Sequence, residues 1–176
     1  DLKIETIHID SKGISLKNDI LLFFKYYYLI KKYKPDYFFG FTIKPNIYFN
    51  LASFFSKVKN INTITGLGTS FMNKGFLNFI VKLMYKIALL NSYITIFQNN
   101  DDLNTFKNDI IIKYKKNYKV VKGSGVDLNF YKYSKNLLKD KDSLNFLFVG
   151  RVIPDKGIIE LISAISNIKK KYKNIK

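Results

Sequence analysis

A β-strand, a tight loop and the start of a helix are predicted by the sequence FLFVGRVIPDKG, residues 146–157. The apolar run 144–150 is typical of a buried strand, and an amphipathic helical pattern covers residues 157–172. A loop between a strand and a helix start presents unpaired backbone N–H groups and the positive end of the helix dipole. Such a loop is suited to binding an anion.

Arg151 is the only arginine of the chain, in a sequence otherwise rich in lysine. Its guanidinium group offers a planar fork of donors that matches phosphate oxygens, whereas a lysine ammonium is a compact point charge. Lys156 follows in the same loop, so both side chains could reach one diphosphate. The residues alone leave open that Arg151 is a surface residue at an ordinary turn and that Lys156 is a solvated lysine.

This segment resembles the FVGRxxxxKG signature that opens the second domain of family 4 glycosyltransferases of the GT-B type. Upstream, KGSGVDLNF (residues 122–130) is similar to the PNGVDxxxF stretch of that family, with Ser124 in the usual place of asparagine. Residues 42–48 and 63–69 further resemble the branch that builds lipid-linked bacterial oligosaccharides. The resemblance extends over nearly the whole chain.

The resemblance implies a set of donor-binding residues. Arg151 and Lys156 are implied to be the catalytic pair, because in the family these positions hold the diphosphate of a nucleotide-sugar donor. Gly150, Gly157 and Asp127 are implied to line the donor site with them. Physically, Asp127 is also a typical turn residue.

Acceptor-binding residues are expected in two loops that follow predicted strands. Lys44 precedes a proline at a helix start, which suits contact with the diphosphate of an acceptor, although a positional lysine fits as well. Thr65, Gly66 and Gly68 could let backbone amides approach a phosphate or a sugar hydroxyl, but glycine also serves any turn that needs a positive φ. Many relatives place a histidine in this second loop, and this chain has none there.

The function implied is transfer of a hexosyl or N-acetylhexosaminyl group, with retention at the anomeric carbon, from a nucleotide-diphospho-sugar to a polyprenyl-diphosphate-linked saccharide. No cofactor and no protein-held metal are expected. Asp101 and Asp102 lie at a predicted helix start, where carboxylates cap free N–H groups, and no histidine accompanies them.

Two other classes of function and an inactive remnant of the enzyme stay open. A nucleic-acid-binding module would use the net charge of +17, but no recognised motif is present and the aromatic residues fall at core spacings. We therefore expect no nucleic-acid partner. A dinucleotide-dependent oxidoreductase would share the alternating strands and helices, yet no GxGxxG follows a strand.

The fold class expected is α/β. Alternating short apolar runs and longer helical patterns predict a doubly wound parallel sheet of the Rossmann type in residues 1–127. The predicted strands are 3–9, 37–41, 61–65, 93–97 and 119–121, and the predicted helices are 19–33, 47–57, 76–90 and 101–113. A polar, lysine-rich linker is expected at 128–143, and residues 144–176 are expected to begin a second Rossmann-like domain, which gives an incomplete GT-B fold.

The amino-acid composition indicates the cellular compartment in which the protein is expected. The chain of 176 residues has no cysteine, which fits a reducing compartment, and its net charge of +17 invites contact with an anionic membrane face. Abundant lysine also fits a biased composition and ordinary helix ends. We expect a cytoplasmic protein, peripheral on the inner face of the membrane. The missing initiator methionine and the helical pattern that runs to the end predict a piece of a longer chain, inactive by itself.

Overall fold

The computed structural model describes residues 3–10, 15–67, 75–109, 117–133 and 145–172. The chain forms two compact units, Asp1–Ser124 and Gly125–Lys176. Residues 134–144 lie outside the described part of the chain. The linker predicted at 128–143 therefore stays a prediction.

The first unit alternates helices and strands. Its elements are α1 Leu16–Tyr33, β1 Tyr37–Phe41, α2 Ile43–Ala52, β2 Lys59–Ile64, α3 Phe76–Ala88, a 3₁₀ turn Leu89–Asn91, β3 Ser92–Phe97, α4 Asn100–Asp109 and β4 Tyr118–Val120. The second unit contains a 3₁₀ turn, Pro154–Lys156, and helix α5, Ile158–Lys169. These bounds confirm the predicted succession of helices and strands from α1 to β4.

The four strands form one parallel sheet in the order β1-β2-β3-β4. Each strand pairs with the next strand of the chain, and right-handed crossover connections therefore place α2, α3 and α4 on the same face of the sheet. This arrangement confirms the predicted α/β class with a parallel sheet. It also brings the carboxyl ends of all four strands to one edge.

Helix α1 ends where its sequence predicts. Lys34 adopts a left-handed conformation, with φ 44°, and its N–H group bonds to the carbonyl of Ile30 at 2.9 Å. Pro35 follows and cannot continue a helix, because its nitrogen has no hydrogen to donate. The chain is thereby redirected into β1.

The core of the first unit lies between the sheet and its helices. One buried cluster joins α2, β2, α3, β3 and α4, and its fully buried aromatic members are Tyr85, Phe97 and Phe106. A second cluster joins α1 to α2 around Tyr26 and Phe49. The opposite face of the sheet carries exposed aromatic side chains on β1, such as Phe39 at 62% exposure.

The strand predicted at residues 3–9 is wrong, because residues 3–10 contain no strand. The segment packs on α1 instead. Ile7 and Ile9 pack against the cluster of α1 and α2, and Lys32 pairs with Glu5 at 2.8 Å. The apolar side chains at alternate positions pack against helix α1 here. The segment does not pair with a strand of the sheet.

A strand predicted at 144–150 is also absent from residues 145–150. A strand needs a neighbour to accept its backbone hydrogen bonds, and none is present in the described part of the second unit. Helix α5, in contrast, forms as predicted from local hydrogen bonds, although none of its residues is buried.

Candidate functional site

The carboxyl edge of the sheet gathers the predicted acceptor residues. Thr65 and Gly66 follow β2, and Lys44 lies in the first turn of α2, directly after β1. Gln98 follows β3 and donates to Ser124 Oγ at 3.4 Å, which brings the segment after β4 to the same edge. Open parallel sheets bind ligands at this edge. Gly68 lies outside the described residues.

Lys44 is engaged in a buried ion pair. Its ammonium lies 2.7 Å from Asp19 Oδ1, and the side chains of the two residues are 16% and 4% exposed. Burial, followed by the negative charge of Asp19, raises the pKa of the neighbouring Tyr48. Because Asp19 already balances the charge of the Lys44 ammonium, the phosphate of a ligand would have to compete with Asp19 for this ammonium.

The loop after β2 is open. Thr65 is exposed, and Gly66 adopts φ 140°. A Cβ atom added at Gly66 would meet no atom of the described residues within 4 Å. Glycine is favoured at this position by the positive φ of its backbone.

Thr42 is a residue of this edge that sequence reasoning did not single out. It joins β1 to α2 with φ 68° and ψ 178°, a combination that is costly for any residue with a Cβ atom. Strained backbone of this kind is concentrated at functional sites. A positive φ at a threonine leaves no signal in the sequence.

An amide network lies buried behind the edge and was also missed. Asn50 Nδ2 donates to Asn62 Oδ1 at 2.7 Å, and Asn62 Nδ2 donates to Ser92 Oγ at 2.9 Å. Asn60 Nδ2 donates to Ser53 Oγ at 2.8 Å. These bonds join α2, β2 and β3. The signal was present in the sequence KNINTI of β2, where asparagine alternates with isoleucine, so that Asn60, Asn62 and Ile64 face the core.

Asn46 connects this network to the carboxyl edge. It is fully buried in α2 and donates from Nδ2 to the carbonyl of Thr63 at 2.9 Å. A Cβ atom at Gly40 would collide with Asn46 Oδ1 and with the ring of Phe38. Gly40 is therefore glycine because the side chain of Asn46 packs directly against its backbone.

The start of α4 is capped, but the cap is the amide of Asn99 and not the carboxylates of Asp101 and Asp102 for which capping was predicted. The backbone N–H of Asp102 donates to Asn99 Oδ1 at 2.7 Å, and Asn99 Nδ2 donates to Asp102 Oδ2 at 3.0 Å. This reciprocal pair satisfies an otherwise free amide of the first turn. Within the described ranges, no group of three or more acidic, histidine or cysteine side chains could hold a metal ion.

The predicted donor residues lie in the second unit. Arg151 and Lys156 are both exposed; Arg151 precedes the 3₁₀ turn Pro154–Lys156, and Lys156 is its last residue. Gly157 closes this turn with φ 72° and ψ 22° and serves as the N-cap of α5. For the guanidinium of Arg151, the described part of the chain offers no hydrogen-bond or ion-pair partner. A guanidinium group carries five N–H donors in a planar arrangement.

Gly150 and Asp127 complete the predicted donor set. A Cβ atom at Gly150 would approach the ring of Phe148 at 3.3 Å, which is a tight contact but not a backbone collision. Asp127 Oδ1 accepts a hydrogen bond from the N–H of Asn129 at 2.8 Å and thereby shapes a turn. This bond agrees with the physical interpretation of Asp127 as a turn residue.

Comparisons with known proteins connect this geometry to a family. Residues 1–99, from the start of the chain to the end of the loop after β3, match the family model described as glycosyl transferase 4-like. A capsular polysaccharide biosynthesis glycosyltransferase, CapM of Staphylococcus aureus, is 30% identical over 180 residues, which cover 94% of this chain and 46% of that protein. The chain thus spans about half the length of this curated relative. With more than half of its residues inside the family match, the chain belongs to the glycosyl transferase 4-like family.

Proposed function

We propose that the protein transfers a sugar from a nucleotide-diphospho-sugar to the hydroxyl group of a polyprenyl-diphosphate-linked saccharide. The observation that carries this function is the exposed pair Arg151 and Lys156 beside a turn that Gly157 closes in the left-handed conformation. Membership of the family supports the transferase chemistry. The name of the relative, which is a capsular polysaccharide enzyme, supports a role in surface glycan assembly.

The donor diphosphate is the group on which the reaction depends. During transfer, the bond between the anomeric carbon and the diphosphate oxygen breaks, and the acceptor oxygen bonds to that carbon while its proton passes to an oxygen of the leaving diphosphate. Negative charge gathers on the leaving nucleoside diphosphate. Arg151 can hold two of its oxygens with its planar fork, and Lys156 adds a second positive charge. Donors aimed at developing charge lower the barrier to transfer.

Retention at the anomeric carbon and a hexosyl or N-acetylhexosaminyl group are the finer parts of the proposal. The acceptor is assigned to the carboxyl edge of the sheet in the first unit. There the exposed Thr65 and the adjacent Gly66 provide contacts. Lys44 contributes only where the acceptor diphosphate displaces it from Asp19. We place the protein in the cytoplasm, at the inner face of the membrane that carries the lipid-linked acceptor.

The test is a transfer assay on the full-length protein. A panel of radiolabelled nucleotide sugars is incubated with polyprenyl-diphosphate-linked saccharides and, separately, with the same saccharides released from their lipid. We expect one donor to label the lipid-linked acceptor, and mass spectrometry to show an increment of one sugar. Labelling of the free saccharide alone would contradict the acceptor class, and no labelling from any donor would contradict the transfer itself.

A further inference from the structure

Helix α3, Phe76–Ala88, is apolar on two opposite faces. Its inner face buries Val81, Tyr85 and Ala88 in the core. Its outer face exposes a stripe of large apolar side chains that continues into the following 3₁₀ turn. The members of this outer stripe and their exposures are Phe76 80%, Phe79 62%, Leu83 44%, Ile87 43% and Leu90 58%.

The spacing shows that the outer stripe is continuous. Its members recur at intervals of three and four residues, which places them one above another on a helix surface. A helix at the surface of a water-soluble protein normally carries polar side chains on its outer face. A contiguous exposed apolar surface of this kind marks a site of interaction.

The charges of α3 indicate the chemistry of the partner. Its two charged residues, Lys82 and Lys86, lie side by side on one flank of the outer stripe, and the helix contains no acidic residue. The chain as a whole carries a net charge of +17. An apolar stripe beside lysines complements a surface that is apolar within and negatively charged at its rim.

We propose that the outer stripe of α3 docks the protein onto the surface of an anionic lipid bilayer. A helix of 13 residues is about 20 Å long, which is shorter than the hydrocarbon core of a bilayer. Among the residues that the structure describes, no helix is long and apolar enough to span a membrane. The helix therefore lies in the plane of the interface, with the stripe inserted among the acyl chains and Lys86 at the headgroups.

This inference rests on the proposed membrane-side function and names the surface that meets the lipid. Its test nevertheless needs no sugar transfer. Failure of the vesicle experiment would leave the transfer assay unaffected, and failure of the transfer assay would leave the vesicle experiment unaffected.

The natural absence of tryptophan allows a direct probe of insertion. Two single-tryptophan variants are compared, Phe79→Trp in the outer stripe and Phe55→Trp as the matched control. Phe55 is 101% exposed and follows α2. On addition of phosphatidylcholine vesicles that contain phosphatidylglycerol, we expect a blue shift and quenching by brominated lipid for Phe79→Trp alone. Equal responses of both probes, or no response at position 79, would overturn the proposal.

Flotation with the same vesicles measures the energetic contribution of the stripe. The triple variant Phe79→Ser, Leu83→Ser, Ile87→Ser should bind about a hundredfold more weakly or worse, because each large apolar side chain loses its burial. Phe55→Ser should float like the parent chain. Lys86→Ala should weaken binding about fivefold, and added salt should abolish that difference.

A second copy of the chain is the competing occupant. In that case size-exclusion chromatography without lipid would show a dimer that the triple variant loses, while flotation would be unchanged. That outcome would contradict docking on lipid, as would equal binding to vesicles of pure phosphatidylcholine. Circular dichroism of the triple variant checks that its fold is retained, because Leu83 and Ile87 are partly covered.

Discussion

The two units of the molecule hold their residues in place by different means. The first unit buries aromatic clusters and a network of asparagine side chains between its sheet and helices. The second unit contains helix α5, in which no residue is buried, and Gly157 stands in the left-handed conformation between the turn that ends at Lys156 and this helix. Substitutions in the first unit should therefore change stability, whereas substitution of the exposed Arg151 or Lys156, which we propose to bind the donor, should change activity.

The largest expected effect concerns the second unit. In the full-length protein, Arg151→Ala should lower turnover about 100- to 1000-fold, because one donor aimed at developing charge is lost. The melting temperature should hardly change, since Arg151 is exposed. Arg151→Lys should restore little, because a lysine lacks the planar fork. The measurement is a steady-state transfer assay beside a thermal melt.

The exposed Lys132 of the same unit provides the matched control. Lys132→Ala removes one positive charge without touching the loop, and its turnover should equal that of the parent. If Arg151→Ala also kept near-normal turnover, the assignment of the donor site would be wrong. If Arg151→Ala instead lowered the melting temperature strongly, Arg151 would contribute to stability, and the loss of turnover could not be assigned to donor binding alone.

A smaller effect is expected from the buried network of the first unit. Asn62→Ala removes the donor to the buried Asn50 Oδ1, whereas Asn50 Nδ2 keeps the carbonyl of Asn46 and Ser92 keeps the hydroxyl of Thr95. One unsatisfied buried polar group costs about 1 to 3 kcal/mol, so the free energy of unfolding should fall by about that amount. Urea denaturation measures the change. Asn18→Ala on the exposed side of α1 is the control, and an equal effect of the two substitutions would show that the network adds no stability.

Much of the first unit could be predicted because its signals are local. The bounds of β1 follow from its apolar run, and the end of α1 follows from Pro35. The strand expected at 144–150 has equally apolar residues, but whether a segment becomes a strand depends on a neighbour elsewhere. Whether residues 144–150 form a strand therefore depends on pairing with another segment, which the composition of these residues does not reveal.

The candidate site was predictable only where a motif marked it. Thr65, Gly66 and Arg151 were predicted to be site residues from short patterns, and the structure places Thr65 and Arg151 at exposed positions. Their roles stay predictions. The ion pair of Lys44 with Asp19 joins residues 25 positions apart, and no local pattern indicates which lysine of so many meets that carboxylate. The distribution of charge within the core is a property of the tertiary structure.

The smallest expected effect is a dependence of stability on alkaline pH, and it too should belong to the first unit. Burial raises the pKa of Tyr26 from 10.0 to about 12. Because the folded state disfavours the phenolate, the contribution of Tyr26 to stability is complete below pH 10 and is lost as the pH rises toward 12. The free energy of unfolding should fall by at most about 1.4 kcal/mol per pH unit in this window.

Tyr26→Phe isolates this contribution, since phenylalanine keeps the ring contact with Phe49, whose centroid lies 5.4 Å away. Burial also raises the pKa of Tyr48 and Tyr85, so both proteins should lose stability at high pH, but the variant should lose less. Tyr133→Phe, at an exposed position of the second unit, should follow the parent. Urea titrations at pH 9, 10 and 11 provide the comparison. Parallel curves for the parent and Tyr26→Phe would show that the ring of Tyr26 reaches water, and the contrast between a buried first unit and an open second unit would then be weaker than the packing indicates.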